Sequence, residues 1–256
     1  MEPELADLAE DVIFYLPRVP GFDQIERDGY LYTASDRRAS VHHVRLGDVA
    51  AAVAWTRKET RRRDLPKIEW WLGWKATPAD LVDRLAAAGL EPDDVQPVLT
   101  GMVATEPPPG TPGVDVRRIE TADDYIVALD LERRVWGQPP GDPKRDRERF
   151  DAERATTGSF VADLDGEPVG FGRAIDGARF VALMGGAVLP EARRRGVYRA
   201  LVRARWDHAV ARGTPVLVVQ AGPMSAPVLA RLGFRSFGQV RVYSDRLESS
   251  HGDDRS

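Results

Sequence analysis

The chain contains no cysteine, which excludes disulfides, thiolate zinc sites and a cysteine nucleophile together and leaves oxygen and nitrogen groups for any covalent chemistry. Histidine is scarce, at four in 256 residues. His42 and His43 are neighbours on an expected strand and so face opposite sides, and His208 falls on an apolar helix stripe, so no metal site is expected. No apolar run approaches the roughly 20 residues that cross a bilayer. The start, Met1 to Asp11, is acidic rather than basic. Together these predict a cytoplasmic protein with no membrane partner.

Positive charge is also in short supply, with a net charge of -4 and a pI near 5.7. The deficit is uneven: residues 1–112 hold 13 Lys+Arg against 19 Asp+Glu, and residues 113–248 hold 22 against 19. A nucleic-acid partner normally shows as a broadly basic domain, so none is expected, whereas a local basic site for one small polyanion fits.

What is present is an ordinary globular balance, 43% apolar and 30% charged residues, in a chain long enough for two modest domains. The run Glu106 to Gly113, EPPPGTPG, suits an extended linker, since proline and glycine are poorly tolerated inside helices and central strands. The expected organisation is a first domain over 1–105, a linker over 106–113, a second domain over 114–248 and a disordered tail over 249–256.

In the second half, Val114 to Ile119 alternates as a strand, and Thr121 before Ala122, Asp123 and Asp124 reads as a helix cap with carboxylates in the first turn. Asp165-Gly166 between two β-branched or aromatic runs is a hairpin signal. Phe180 to Leu189 reads as a strand, Glu191 to Arg212 as a long amphipathic helix, Pro215 to Gln220 as a strand, Ser225 to Leu232 as a short helix, and Phe234 to Ser244 as a final strand. The order is β-α-α-β-β-β-α-β-α-β. The first half repeats the end of it: strands at Tyr30 to Ala34, Val41 to Leu46 and Ile68 to Leu72, and helices at Val49 to Arg63 and Pro78 to Ala88. Leu85 to Leu90 (LAAAGL) parallels Leu229 to Phe234 (LARLGF), each a helix closing on glycine before an apolar residue.

The segment Gly186 to Leu201, GAVLPEARRRGVYRAL, is a strand that stops at proline and enters a helix through an arginine-glycine loop. Such a junction gathers unpaired backbone N–H groups and the positive end of a helix dipole, a setting for a pyrophosphate. Gly196 lets the backbone approach the anion, and the arginines add charge-assisted bonds. Alone, Arg193 to Arg195 would be a solvated charge run; the strand before and the helix after favour the binding reading.

These residues resemble the GCN5-related N-acetyltransferase (GNAT) family, whose phosphate loop runs R/Q-x-x-G-x-G/A. Arg193 and Gly196 match, Tyr198 stands where glycine or alanine is usual, and Ser225 to Phe234 resembles the second signature. The resemblance covers residues 114–247 and, as a degenerate copy without a phosphate loop, the first half. It implies an α/β fold with a central mixed sheet, a degenerate first unit and a complete second unit. It further implies acetyl-CoA as co-substrate, held by Val188, Leu189, Arg193, Arg194, Arg195, Gly196, Val197, Tyr198 and Arg199, and an amine acceptor that attacks the thioester directly. The family's strand before the loop carries a bulge, which Gly185-Gly186 suits; two glycines merely relieving crowding is the alternative.

The family's usual proton donor, a tyrosine four residues before the Gly-Phe pair, is Leu229 here. Ser225 and Tyr243 are the nearest hydroxyls in sequence, with cap and packing roles as their bland readings; Glu132 and Glu69 are candidate relayed bases. Trp70, Trp71, Trp74 and Trp136 are candidate acceptor-pocket walls or core. A non-catalytic acyl-CoA-binding module is the rival function, and a phosphate-loop nucleotide hydrolase fails for want of a Gly-Lys-Ser/Thr ending. Oligomeric state is left open.

Overall fold

A computed structural model of the chain describes residues 4–18 and 21–247; the tail expected over 249–256 lies outside the described residues. The first half contributes helix α1 (Leu5–Glu10), strands β1 (Asp23–Arg27), β2 (Tyr30–Ala34) and β3 (Ala39–His42), helix α2 (Val49–Arg61), strand β4 (Lys67–Leu72), helix α3 (Leu81–Ala87), and strands β5 (Glu91–Pro92) and β6 (Val98–Ala104). The second half contributes β7 (Asp115–Arg118), helices α4 (Ala122–Trp136) and α5 (Pro143–Glu153), β8 (Thr157–Leu164), β9 (Glu167–Asp176), β10 (Val181–Val188), α6 (Val197–Ala211), β11 (Leu217–Ala221), α7 (Ala226–Arg231) and β12 (Arg235–Arg246).

Local chemistry accounts for many of these boundaries. Thr121 accepts the Asp124 N–H at 3.2 Å and starts α4. Asp165 and Gly166, at φ 56° and 84°, give the β8–β9 turn the left-handed pair that matches strand twist. The two LxxxG segments close in the same way: Leu90 N–H bonds Leu85 O at 3.0 Å and Phe234 N–H bonds Leu229 O at 3.1 Å, over Gly89 and Gly233 at φ 87° and 93°.

All strands share one mixed sheet, ordered β1-β2-β3-β4-β12-β6-β11-β10-β9-β8-β7, with β5 alongside β12. Among the described strands only β3–β4 and β10–β11 pair in parallel. The order is not collinear with the halves. β6, from before the Pro-rich run, pairs with β11 (Met102 opposite Val219), and β12, from the far end, pairs with β4 (Tyr243 opposite Trp70). Each half thus gives its last long strand to the sheet of the other. A bidentate ion pair fixes the exchange: Arg57 of α2 meets Asp245 of β12 at 2.8 and 2.9 Å. Helix α1 packs across the seam, placing Leu8, Ala9 and Val12 with Val103, Phe180 and Val218.

Three expectations shift. The helix read over Glu191 to Arg212 begins only at Val197, because Pro190–Ala192 forms a 3₁₀ turn and Arg194 and Gly196 take left-handed φ of 63° and 87°. The strand read over Val41 to Leu46 ends at His42, where His43 at φ 52° turns the chain. The helix read from Pro78 starts at Leu81.

Candidate functional site

The site grows from a gap in the sheet. β10 and β11 pair at only two positions, Val181 opposite Leu217 and Ala182 opposite Val218. β11 then continues against β6, while β10 stays with β9 and shifts register between Met184 and Ala187. The far half of β10 therefore presents a backbone edge that β11 does not use. An extended arm can add to such an edge by main-chain hydrogen bonds.

The register shift is a bulge centred on Gly185-Gly186, two glycines closely flanked by side chains. Gly185 has φ 58°, and a Cβ there would lie 2.7 Å from Glu132 Oε1 and 2.9 Å from Arg173 Nη1. A Cβ on Gly186 would lie 2.9 Å from the Tyr198 ring. The bulge is thus gripped on one face by the Glu132–Arg173 ion pair and on the other by Tyr198. Burial pushes the Tyr198 phenol's pKa up, and the Arg205 guanidinium opposes this. Arg205 is itself buried without a carboxylate: it bonds Leu201 O at 2.9 Å and Arg173 O at 3.3 Å, and burial lowers its pKa to about 10.

Beyond the bulge the chain reaches α6. Gly196 precedes the helix with no side-chain cap, and the first helical bond runs from Ala200 N–H to Gly196 O. The N–H groups of Val197, Tyr198 and Arg199 precede that bond and open outward. The corresponding start in the first unit is closed: Asp48 places a carboxylate on α2, accepting Ala51 N–H at 3.0 Å. A carboxylate there satisfies the donors and repels an anion, so the first unit lacks a phosphate loop for a visible physical reason.

Around the open terminus, Arg193, Arg194, Arg195 and Arg199 are exposed. Arg193 donates to Val188 O at 3.4 Å, and Arg195 pairs with Asp165 at 3.2 Å in the open. A Cβ on Gly196 would strike the methyl of Thr111, whose Oγ1 is buried without a hydrogen-bond partner. Two of the expected cofactor residues have buried side chains. Leu189 is buried, gives its N–H to Val169 O at 2.9 Å and accepts from Ala192 N–H at 2.9 Å. The Val197 side chain is buried in the second unit's core, leaving only its N–H.

The hydroxyl candidates separate. Ser225 sits at the start of α7 and donates to Gly222 O at 3.2 Å. Tyr243 packs against the first unit's core, with Trp70 opposite it in the sheet, a different core from the one holding α6, because β12 has crossed over. Leu229 is fully buried in the second unit's core. Glu132 stands at the bulge; Glu69 pairs with Lys67 at 2.9 Å. His208 bonds Asp176 at 2.8 Å. Trp70 is core, Trp71 and Trp74 pack on Leu99, Val240 and Val242, and Trp136 is exposed. A cavity of about 400 Å³ lined by Phe22, Ala34, Asp36 and Arg63 opens at the first unit's edge strands, apart from α6. Among the described residues no helix is long and apolar enough to cross a membrane.

Comparison with known proteins agrees with this geometry. Residues 123–234 match the model of the Acetyltransferase (GNAT) family. No curated protein matches the chain. Among solved structures the chain resembles a GCN5-related N-acetyltransferase from Kribbella flavida, with 18% identity, 97% of this chain and 98% of that one covered, and a TM-score of 0.70. It also resembles a GCN5-related N-acetyltransferase from Sphaerobacter thermophilus (17% identity, 88% and 76% covered, TM-score 0.63). A tandem GNAT protein from the clavulanic acid biosynthesis pathway is similar at 16% identity, 97% and 94% covered, TM-score 0.60. At these identities the solved structures establish the fold: a tandem GNAT arrangement with a large mixed sheet.

Proposed function

Because residues 123–234 belong to the acetyltransferase (GNAT) family, whose members are acyltransferases, we propose that this chain moves an acetyl group from acetyl-CoA to the amine of a small molecule or peptide. The observation that carries the reading is the continuity from the parted, bulged β10 to the uncapped N-terminus of α6. The residues suit the group. The free edge of β10 through Val188 suits the pantetheine arm, and the N–H groups of Val197, Tyr198 and Arg199 with the Thr111 hydroxyl suit the pyrophosphate. Arg193, Arg194 and Arg199 make no ion pair among the described residues and supply countercharge.

Bound acetyl-CoA supplies an activated acyl thioester. The chain's own part is positioning: the bulge aims backbone N–H groups, and Glu132, anchored by Arg173, offers a carboxylate beside it to orient the incoming amine and draw off its proton. Leu229 offers no proton to the departing thiolate, and Ser225 at the start of α7 is the remaining hydroxyl candidate. The working unit spans 114–248, with 106–113 joining it to the degenerate unit over 1–105, in a cytoplasmic protein.

The test is calorimetric titration of acetyl-CoA into the wild type and Arg199→Glu, followed by an amine screen for free CoA thiol. Arg199 is exposed, so the variant keeps the fold; reversing one phosphate-facing charge should weaken binding roughly 10- to 100-fold. Absence of wild-type binding would sink the assignment. Binding without amine-dependent thiol would favour the non-catalytic module, which the buried Leu229 at the usual donor position supports.

A further inference from the structure

The segment that joins the halves is not a free tether. It leaves β6 at Ala104 and enters β7 at Asp115, and within 105–113 Pro108 alone is buried and Thr111 alone is half-buried, the other residues being exposed. Both of these residues meet α6. Arg203 donates from Nη1 to Pro108 O at 3.3 Å, with its Nε held by Asp207 at 2.9 Å. Thr111 lies over Gly196, where a Cβ would strike its methyl and stand 3.3 Å from its Oγ1.

The two contacts share one spacing. Gly196 and Arg203 are two helical turns apart on one stripe, a rise of about 10.5 Å. Pro108 and Thr111 are one polyproline turn apart, a rise of about 9.3 Å. The repeats agree to about 1 Å, so an extended proline segment seats both residues on α6 at once. Pro107, Pro108, Pro109 and Pro112 fix φ along the run, which lowers the entropy lost on seating it.

The far end of this segment reaches the open terminus of α6. Thr111 brings there a buried hydroxyl without a hydrogen-bond partner, an unfavourable state that an acceptor relieves. The groups that open beside it, the N–H groups of Val197, Tyr198 and Arg199, are donors as well. An acceptor brought by a ligand completes the set.

We infer that residues 108–111 are a strap that closes on the phosphate end of the cofactor, so that cofactor binding and strap docking strengthen each other. The inference rests on the proposed acetyl-CoA site and adds its regulation by the chain between the halves. Thr111 donates to a phosphate oxygen, and Pro108, bonded to Arg203, is the positioning residue that holds Thr111 over Gly196. Linkage makes the coupling reciprocal: the factor by which the cofactor tightens the strap is the factor by which a loosened strap weakens the cofactor.

The experiment uses full-length protein and acetyl-CoA, with affinity from calorimetry and strap docking from amide hydrogen exchange at Gly110, Thr111 and Gly113. The variants are Thr111→Val, which keeps the methyl on Gly196 and removes the hydroxyl, Thr111→Ser, which keeps the hydroxyl, a serine inserted after Pro109, which breaks the spacing between the anchors, and the same insertion after Glu106, which does not. Thr111→Val should bind acetyl-CoA about 10-fold more weakly while melting no lower than wild type, because the lost hydroxyl was unpaired in the free protein. Thr111→Ser and the insertion after Glu106 should stay within about 3-fold of wild type, and the insertion after Pro109 should weaken binding about 10-fold. Saturating acetyl-CoA should slow exchange at the three amides about 10-fold in wild type and less in Thr111→Val. Wild-type binding that Thr111→Val and the insertion after Pro109 leave unchanged, or binding without slowed exchange in the linker, overturns the strap and leaves the acyl-transfer reading standing. A wild type that does not bind acetyl-CoA overturns both.

Discussion

Replacing Gly185 by alanine tests the bulge, the feature on which the site's geometry depends. The cost lies in the backbone. Gly185 holds φ 58°, a left-handed conformation costing a non-glycine residue roughly 1–2 kcal/mol. The new Cβ would also lie 2.7 Å from Glu132 Oε1 and 2.9 Å from Arg173 Nη1, but these are the ends of long side chains that can shift, so packing adds little. A loss of roughly 1–2 kcal/mol is a fall in melting temperature of roughly 2–8 °C for a chain of this size. Thermal unfolding followed by circular dichroism measures it. A Gly185→Ala protein melting within about 1 °C of wild type would refute the left-handed bulge.

Two further outcomes follow from the same packing. Asp245→Ala leaves Arg57, which is partly exposed, with Ala88 O as its remaining partner at 2.6 Å; a loss of about 2–3 kcal/mol is expected in urea unfolding at unchanged slope, and a shift below a few tenths would mean that the exchanged strand is held by its ladder alone. Burial lowers the His42 pKa from 6.5 to about 3, so the unfolded chain binds the proton first. The stability this neutral imidazole contributes is fully present above 6.5 and is lost as pH falls toward 3. His42→Gln should flatten stability across that window, and an unchanged acid slope would assign the loss to other groups.

The sequence was most legible where structure is locally encoded. Thr121, Asp165-Gly166 and the two LxxxG closures each satisfy their own backbone within a few residues, and each appears where it was read. Illegible were features set by distant partners. β6 carries no periodic signal that separates it from its surroundings, because it is buried between β11 and β12 and needs no alternation. Nothing local to Tyr243 says that β12 crosses to β4. The left-handed Arg194 has no glycine or asparagine to announce it, so the apolar periodicity alone extends α6 several residues too far.

The strand exchange explains why a unit without a phosphate loop stays in the chain. Without β6, β11 would lose its antiparallel neighbour beside the gap between β10 and β11, exposing an edge where the proposed site opens. Without β12, β4 and β6 would each lose a partner. The first unit therefore builds the second unit's sheet whatever its own α2 terminus does, and Asp48 was free to close that terminus.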